Sequence, residues 1–349
     1  MIPETLTITF HATELVEILL MAFLGFALSM LITPLYTRLA YEGKWWKKPR
    51  TQAVTGERSK VFLKLHASKH QRNIPTMAGV IFIVSVLLIT SLFNLNREET
   101  WLPLAAFLGA GLVGLIDDII NIRGTGAGVA GLPSKLKLLL ITFIALLGGI
   151  YFFTKLDVTS VNVPFYGDLS IGWLIVPVFV LAVISTANAV NITDGLDGLA
   201  GGLAAIAFAN YAFIAFLQER FGVAAFCMTI VGVLLSYTWF NIYPARFFMG
   251  DVGSFCLGTA LGVVAMITDT VLLLPIIGAV FVAEAGSSLI QILSKKLRQG
   301  KKIFKIAPIH HHFEASGWPE TKVTMRFWVF GQVCGFVGIV IFLLGSYHA

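Results

Sequence analysis

Charge is what this chain lacks. Of its 349 residues 13% are Asp, Glu, Lys or Arg, against 57% hydrophobic, and the mean hydropathy is +0.84. A soluble globular chain carries about twice that share of charge, so composition excludes an ordinary water-soluble domain and points to repeated bilayer-crossing stretches. Cysteine is nearly absent. Cys227, Cys256 and Cys334 fall in apolar runs at unrelated spacings, which excludes a disulfide scaffold or a zinc cluster and leaves redox compartment open. Residues 1–13 hold no Lys or Arg, and the apolar run that follows is longer than a signal core, so the first span is expected to stay in the mature protein. The net charge of +6 comes with no RNA- or DNA-binding motif. Bilayer orientation accounts for it, and nucleic acid is not an expected partner.

Long apolar runs are what the chain has in excess. A helix crossing the hydrocarbon core needs roughly 20 mostly apolar residues. Ten segments meet that length: 14–37, 75–95, 101–120, 136–154, 171–190, 199–217, 222–241, 252–268, 271–293 and 323–346. The expected fold is all-α, a polytopic integral membrane protein of about ten transmembrane helices, with residues 1–349 forming one membrane domain. Alternating the loops puts 22 of the 25 basic residues on one side and leaves Arg97, Lys155 and Arg220 on the other. The crowded side reads as cytoplasmic, and both termini as extracytoplasmic.

Four polar stretches all fall on that basic side: GLIDDIINI, NAVNITDGLDGLAGG, FNIYPARFFMGDVGS and FKIAPIHHHFEASGWPE. Asp117 and Asp118 close an apolar run, either as interfacial aspartates at a helix end or as functional carboxylates in a wet cavity. Neighbouring residues do not share a helix face, so the two are expected to have different tasks. Asn188, Asn191, Asp194 and Asp197 recur every three residues, as a polar stripe on a helical turn would. That stripe could hold a ribose, a uracil edge or the surroundings of a metal, or Asp194 and Asp197 could simply cap a helix start. Asp251 stands between glycines before a helix, where it could serve as an N-cap or, with Asp117 and Asp118, as a Mg2+ ligand. Three successive histidines cannot easily converge on one ion, and no further His or Cys completes a zinc set. A solvated basic loop is one reading of His310, His311 and His312. The preferred one turns at least one imidazole toward the carboxylates to meet a pyrophosphate or sugar. Glu284 lies inside the ninth span, which Pro275 or Gly286 could break, and is either functional or a pairing partner for another helix.

Through IDD, NAVNITDGLDGLAGG and FMGDVGS, nearly the whole chain resembles the polyprenyl-phosphate N-acetylhexosamine-1-phosphate transferase superfamily. Within it, APIHHHFEASGWPE followed by RFW is similar to the MraY type, the phospho-N-acetylmuramoyl-pentapeptide transferases. The resemblance implies ten helices, Mg2+ dependence, and transfer of phospho-MurNAc-pentapeptide from UDP-MurNAc-pentapeptide to undecaprenyl phosphate at the bilayer surface, giving lipid I and UMP. It implies catalytic and metal roles for Asp117, Asp118 and Asp251, and a catalytic role for Lys137. His310 takes the functional position of the triplet. Asn188, Asp194, Gly195, Asp197, Asn241, Phe248, His311 and His312 stand on the substrate side. One aspartate of the 117/118 pair would act as base on the lipid phosphate or as nucleophile in a two-step route. Where the family has TPTMGG this chain has IPTMAG, KHQRNIP is partly like the branch that uses UDP-N-acetylglucosamine, and Asn121 and Ile141 replace a family lysine and glutamine. No role is therefore assigned to Lys69 or Thr76, and transfer from UDP-N-acetylglucosamine stays as the alternative. A proton-relaying transporter would place charge at the midplane and show repeated halves, and neither pattern is present. Oligomeric state is open, a homodimer included.

Overall fold

The structure, a computed structural model, describes residues 11–46, 73–94, 97–124 and 131–348. Lys69 and the other basic residues from Lys47 to Arg72 lie outside the described residues. In hydrocarbon only a helix satisfies every backbone N–H and C=O within one segment, and the apolar runs fold accordingly. In chain order they form α1 (Ala12–Glu42), α2 (Gly79–Phe93), α3 (Arg97–Arg123), α4 (Ser134–Thr154), α5 (Ile175–Thr193), α6 (Leu199–Leu217), α7 (Phe221–Asn241), α8 (Gly250–Ile267), α9 (Leu274–Ile277), α10 (Ala279–Leu297), α11 (Ile309–Glu314) and α12 (Glu320–His348).

Nine of the ten expected segments each fall on one of these helices and the ninth in order, 271–293, covers both α9 and α10, but they do not all qualify as spans. Eight are long and apolar enough, α9 and α10 qualify only as a pair bent by 82°, and α2 has 15 residues. The break in the ninth segment is at Gly278, not at Pro275 or Gly286 as the sequence suggested. Pro275 sits in the first turn of α9, where a missing N–H costs nothing. Gly286 continues the helical ladder of α10. A second departure is an antiparallel hairpin, β1 (Ser160–Val163) and β2 (Gly167–Ser170), which pairs Val161 with Leu169 in the link between α4 and α5. At four residues per strand it is too short to leave an alternation signal.

Hydrogen bonds sort the loops to two ends of the bundle. At one end Asn94 donates to Gly222 O, Gln218 donates to Thr268 O, and Asp269 accepts from the Asn162 N–H. Burial pushes the Asp269 carboxyl above its ordinary range despite that bond. His11 meets Glu219 and Phe221 at this same end, and Gly345 packs on Pro164, so both described ends of the chain gather there. All four polar motifs gather at the other.

Between the ends, α8 is almost wholly buried and packs on α3, α5 and α2. α1 and α12 are peripheral and turn Phe23, Leu31, Val329 and Phe336 outward, as helices facing lipid tails do. α1 lies close along α7 because small residues face each other: a side chain at Gly232 would run into the Ala22 carbonyl, and one at Gly25 would come within 2.7 Å of Thr229 O. Gly232→Val should therefore push α1 off α7 and cost about 1–3 kcal/mol, the usual range for overpacking. Thermal unfolding in detergent would register a lower midpoint, and an unchanged midpoint would argue against this contact.

Candidate active site

Three helices build the acidic centre. α3 approaches the first turn of α8 so closely that any side chain at Gly114 would overlap the Asp251 carbonyl. That approach brings one carboxylate oxygen each from Asp117, Asp118 and Asp251 within 4.8 Å of one another. Asp117 and Asp118 are fully buried, whereas the Asp251 side chain retains 13% exposure, so the centre opens on the Asp251 side. Asp251 is not an N-cap: α8 begins at Gly250, and the carboxylate belongs to its first turn.

Lys137, in the first turn of α4, joins the carboxylates. Its Nζ donates to Asp117 Oδ2 at 3.0 Å and to Asp251 Oδ2 at 2.8 Å. Asp117 also accepts from the Leu132 N–H, while Asp118 accepts from the Val252 N–H at 3.2 Å. The two neighbours thus converge on one centre yet hold different partners, one tied to α4 and the other to α8. Among the described residues, three carboxylates and one ammonium meet here, and with all three carboxylates ionised negative charge is in surplus in a largely dry place. Clustered carboxylate oxygens are the donor set that a hard divalent cation takes, so these residues fit such an ion.

The divergent stretch around Thr76 forms one wall. Phe248 N–H donates to Pro75 O, and the N–H groups of Ala78 and Gly79 donate to the carbonyls of Phe248 and Met249. A side chain at Gly250 would touch both the Asp118 carboxylate and the Thr76 hydroxyl. Thr76, to which the sequence assigned nothing, is therefore beside the centre. Phe248 is half-buried at this wall.

The asparagine and aspartate stripe is not one helical face. α5 ends at Thr193, and Asp194 and Asp197 occupy the turn before α6. Ser, Asn and Asp compete with the backbone for hydrogen bonds, which is why such a run closes a helix. Asn188 bonds back to Ile184 O, and Asn191 donates to Ser254 of α8 at 2.8 Å. The cap of α6 is Gly198, in the left-handed region at φ 77, so neither Asp194 nor Asp197 is the N-cap. Asp197 instead accepts from the Ala245 N–H, while its own N–H donates to Glu320 Oε1. Asn241 accepts from Gly198 N–H and donates to Phe247 O, tying the two loops together. Asp194 is half-buried and Gly195 exposed at the turn's open side.

The histidines divide, as their spacing required. His310 Nδ1 lies 2.7 Å from Glu284 Oε2, His311 Nδ1 lies 2.7 Å from Glu314 Oε2, and His312 Nδ1 accepts from the Lys305 N–H at 3.1 Å. His310 is fully buried with its imidazole against Gly195, where a Cβ would overlap the ring. Glu320, Ser254 and the backbone of Leu132 were not singled out as site groups. A bond made through a main-chain N–H leaves no side-chain signal, and Ser254 is one serine among many.

Residues 100–269 match the glycosyl transferase family 4. The chain is 36% identical to the phospho-N-acetylmuramoyl-pentapeptide-transferase of Chloroflexus aurantiacus over 344 residues, 95% of this chain and 91% of that one. It is 38% identical to the enzyme of the same name from Bacillus mycoides, over 93% of this chain and 97% of that one. With the one from Syntrophus aciditrophicus the identity is 40%, over 78% and 80% respectively.

Because the ammonium of Lys137 offsets two facing carboxylates, Lys137→Met should lower the thermal midpoint in metal-free detergent buffer by the equivalent of about 1–3 kcal/mol. A divalent cation at millimolar concentration should then raise the midpoint of the variant more than that of the wild type. Equal midpoints without metal would show that the lysine does not neutralise this cluster.

Proposed function

Because this chain belongs to the phospho-N-acetylmuramoyl-pentapeptide-transferase family, we propose that it moves phospho-MurNAc-pentapeptide from UDP-MurNAc-pentapeptide to undecaprenyl phosphate. The products are lipid I and UMP, and the step belongs to peptidoglycan synthesis. The observation that carries this reading is the Asp117, Asp118, Asp251 and Lys137 centre at one end of an apolar bundle. That position lets a water-soluble donor and a lipid-anchored acceptor reach the same atoms. The uneven distribution of Lys and Arg supports placing this end at the cytoplasmic face of a bacterial plasma membrane, with both chain ends outside.

In the transfer an oxygen of the lipid phosphate forms a bond to the β phosphorus of the donor. The bond from that phosphorus to the bridging oxygen breaks, and its electron pair leaves with UMP. A phosphomonoester has a second pKa of about 6, so at neutral pH the acceptor is already largely a dianion. The work left for the protein is positioning and charge compensation. Asp117, Asp118 and Asp251 would hold Mg2+, which when bound would supply Lewis-acid compensation for the charge of the pyrophosphate. Lys137 places a second positive charge beside the same oxygens, where a dry environment strengthens it. Asp194, Gly195 and Phe248 line the open side of the turns and receive the nucleoside, while Asn188, Asp197 and Asn241 hold those turns in register. His310 offers an imidazole to the pyrophosphate or sugar. The lipid tail would lie in a groove beside α10, whose outward face carries Leu289, Ile292 and Leu293.

UMP release by purified protein with Mg2+, undecaprenyl phosphate and either UDP-MurNAc-pentapeptide or UDP-N-acetylglucosamine tests the reading. Turnover is expected with the first donor. Product with only the second would replace the reading with the alternative that the Thr76 stretch suggests. Asp251→Ala should lower turnover by on the order of 1000-fold and keep the wild-type melting profile. Full activity in that variant would remove the metal centre from the mechanism.

A further inference from the structure

Among the described residues, Glu284 is the one fully buried carboxylate that the transfer above does not use. It sits in α10, fully buried, with Oε2 2.7 Å from Nδ1 of His310, itself fully buried. The backbone N–H groups of Ile309 and His310, at the start of α11, face the same carboxylate. A charged side chain at such depth is expensive unless it does specific work. The break at Gly278 gives α10 its direction, and α10 with α11 brings this glutamate and this histidine together from positions 26 residues apart.

The chemistry of the contact is directional. The 2.7 Å contact holds one proton between Glu284 Oε2 and His310 Nδ1, and in its ionised form the carboxylate only accepts, which would place that proton on Nδ1. The other ring nitrogen, Nε2, is then the working atom, and it is the ring atom nearest Gly195. His311 is close enough to act on Glu284 electrostatically, but its own Nδ1 is engaged by Glu314. Gly195 belongs to the turn that holds Asp194, on the open side of the site.

We infer that Glu284 is a positioning residue: it fixes the orientation and tautomer of His310 so that Nε2 is presented to the donor across the Gly195 turn. This rests on the transferase reading, since it gives His310 a substrate to meet. Glu284 never touches the substrate and acts only through the imidazole. The arrangement parallels the use of a carboxylate behind a ligating histidine elsewhere, where loss of the carboxylate costs ten- to a hundredfold.

The decisive experiment is a double-mutant cycle on kcat/KM for UMP release, with Glu284→Gln, His310→Ala and the double variant. Glutamine preserves shape but can donate to Nδ1 and so release the tautomer, and E284Q should fall about 10- to 100-fold. The double variant should be no slower than H310A within about twofold, because nothing remains for residue 284 to orient. A glutamate that only held α10 to α11 would give losses that multiply, and that result would overturn the inference. So would an E284Q protein with wild-type kcat/KM. Should E284Q fail to fold, as judged by gel filtration and melting, Glu284→Asp retains the charge and runs the same cycle. An active wild type with multiplying losses sinks only this inference. A wild type that releases UMP from neither donor sinks the transferase reading and the inference with it.

Discussion

The structure turns on one ammonium group placed between carboxylates in a dry setting. Lys137 reaches both Asp117 and Asp251, and those two residues come from helices that the chain separates by more than a hundred residues. Charges a few ångströms apart interact far more strongly at the edge of an apolar bundle than in water. Three carboxylates alone would force α3 and α8 apart or pick up protons. With the lysine in place, α3, α4 and α8 share one centre, and the close passage of Gly114 over Asp251 becomes tolerable. The lysine offsets part of the negative charge of a cluster whose oxygens fit a divalent cation. The same residue thus ties three helices together and, on the proposed transfer, sets the charge of the centre.

A second constraint is the division of the molecule into two unlike ends. Loops opposite the site close with neutral and weakly charged pairs, such as Asn94 with Gly222 and Gln218 with Thr268. The site end carries the carboxylates, the histidines and the cations Arg38, Lys44, Lys135 and Arg246. Satisfying so many polar groups beside hydrocarbon requires cross-links between loops, since an unpartnered buried group costs more than a bond returns. Asp197 with Ala245 and Glu320, and Asn241 with Gly198 and Phe247, are such cross-links. They make the mouth a fixed surface, and a fixed surface is what a charged donor needs if binding is to align it.

Much of this was legible in the sequence, for reasons particular to each element. Apolar runs as long as those of α1, α6 and α12 have few alternatives to helix, and their placement follows within a few residues. The carboxylates stood out because Asp117, Asp118 and Asp251 interrupt or border those runs. The period of three from Asn188 to Asp197 misled, since it continues through the end of α5 into a turn where no helix exists. The bend in the ninth segment was expected at Pro275 or Gly286, but proline in a first turn is harmless, and Gly278 carries the break. Thr76 was invisible because its position is set by main-chain bonds, that of its own N–H to Trp45 O and those that its neighbours Pro75, Ala78 and Gly79 make with Phe248 and Met249.

The polar residues of the motifs fall into two kinds that sequence cannot separate. Asn241 spends both ends of its amide on the chain, and Asp197 is buried with its carboxylate bonded to Ala245. Asp194, Gly195, Phe248 and Asp251 sit at the rim with part of their surface open. The first kind sets where the loops are, and on the proposed function the second would meet what arrives. Loss of a strut would move several rim groups at once, so its effect on substrate binding would be broad. Loss of a rim group would be confined to the atom it addresses. His310 belongs to neither kind: it is as buried as a strut, yet its ring lies against the rim at Gly195, and a carboxylate from α10 stands behind it. A buried imidazole backed in this way turns only its Nε2 edge toward the Gly195 turn, which makes its orientation, more than its presence, the property that the fold has to secure.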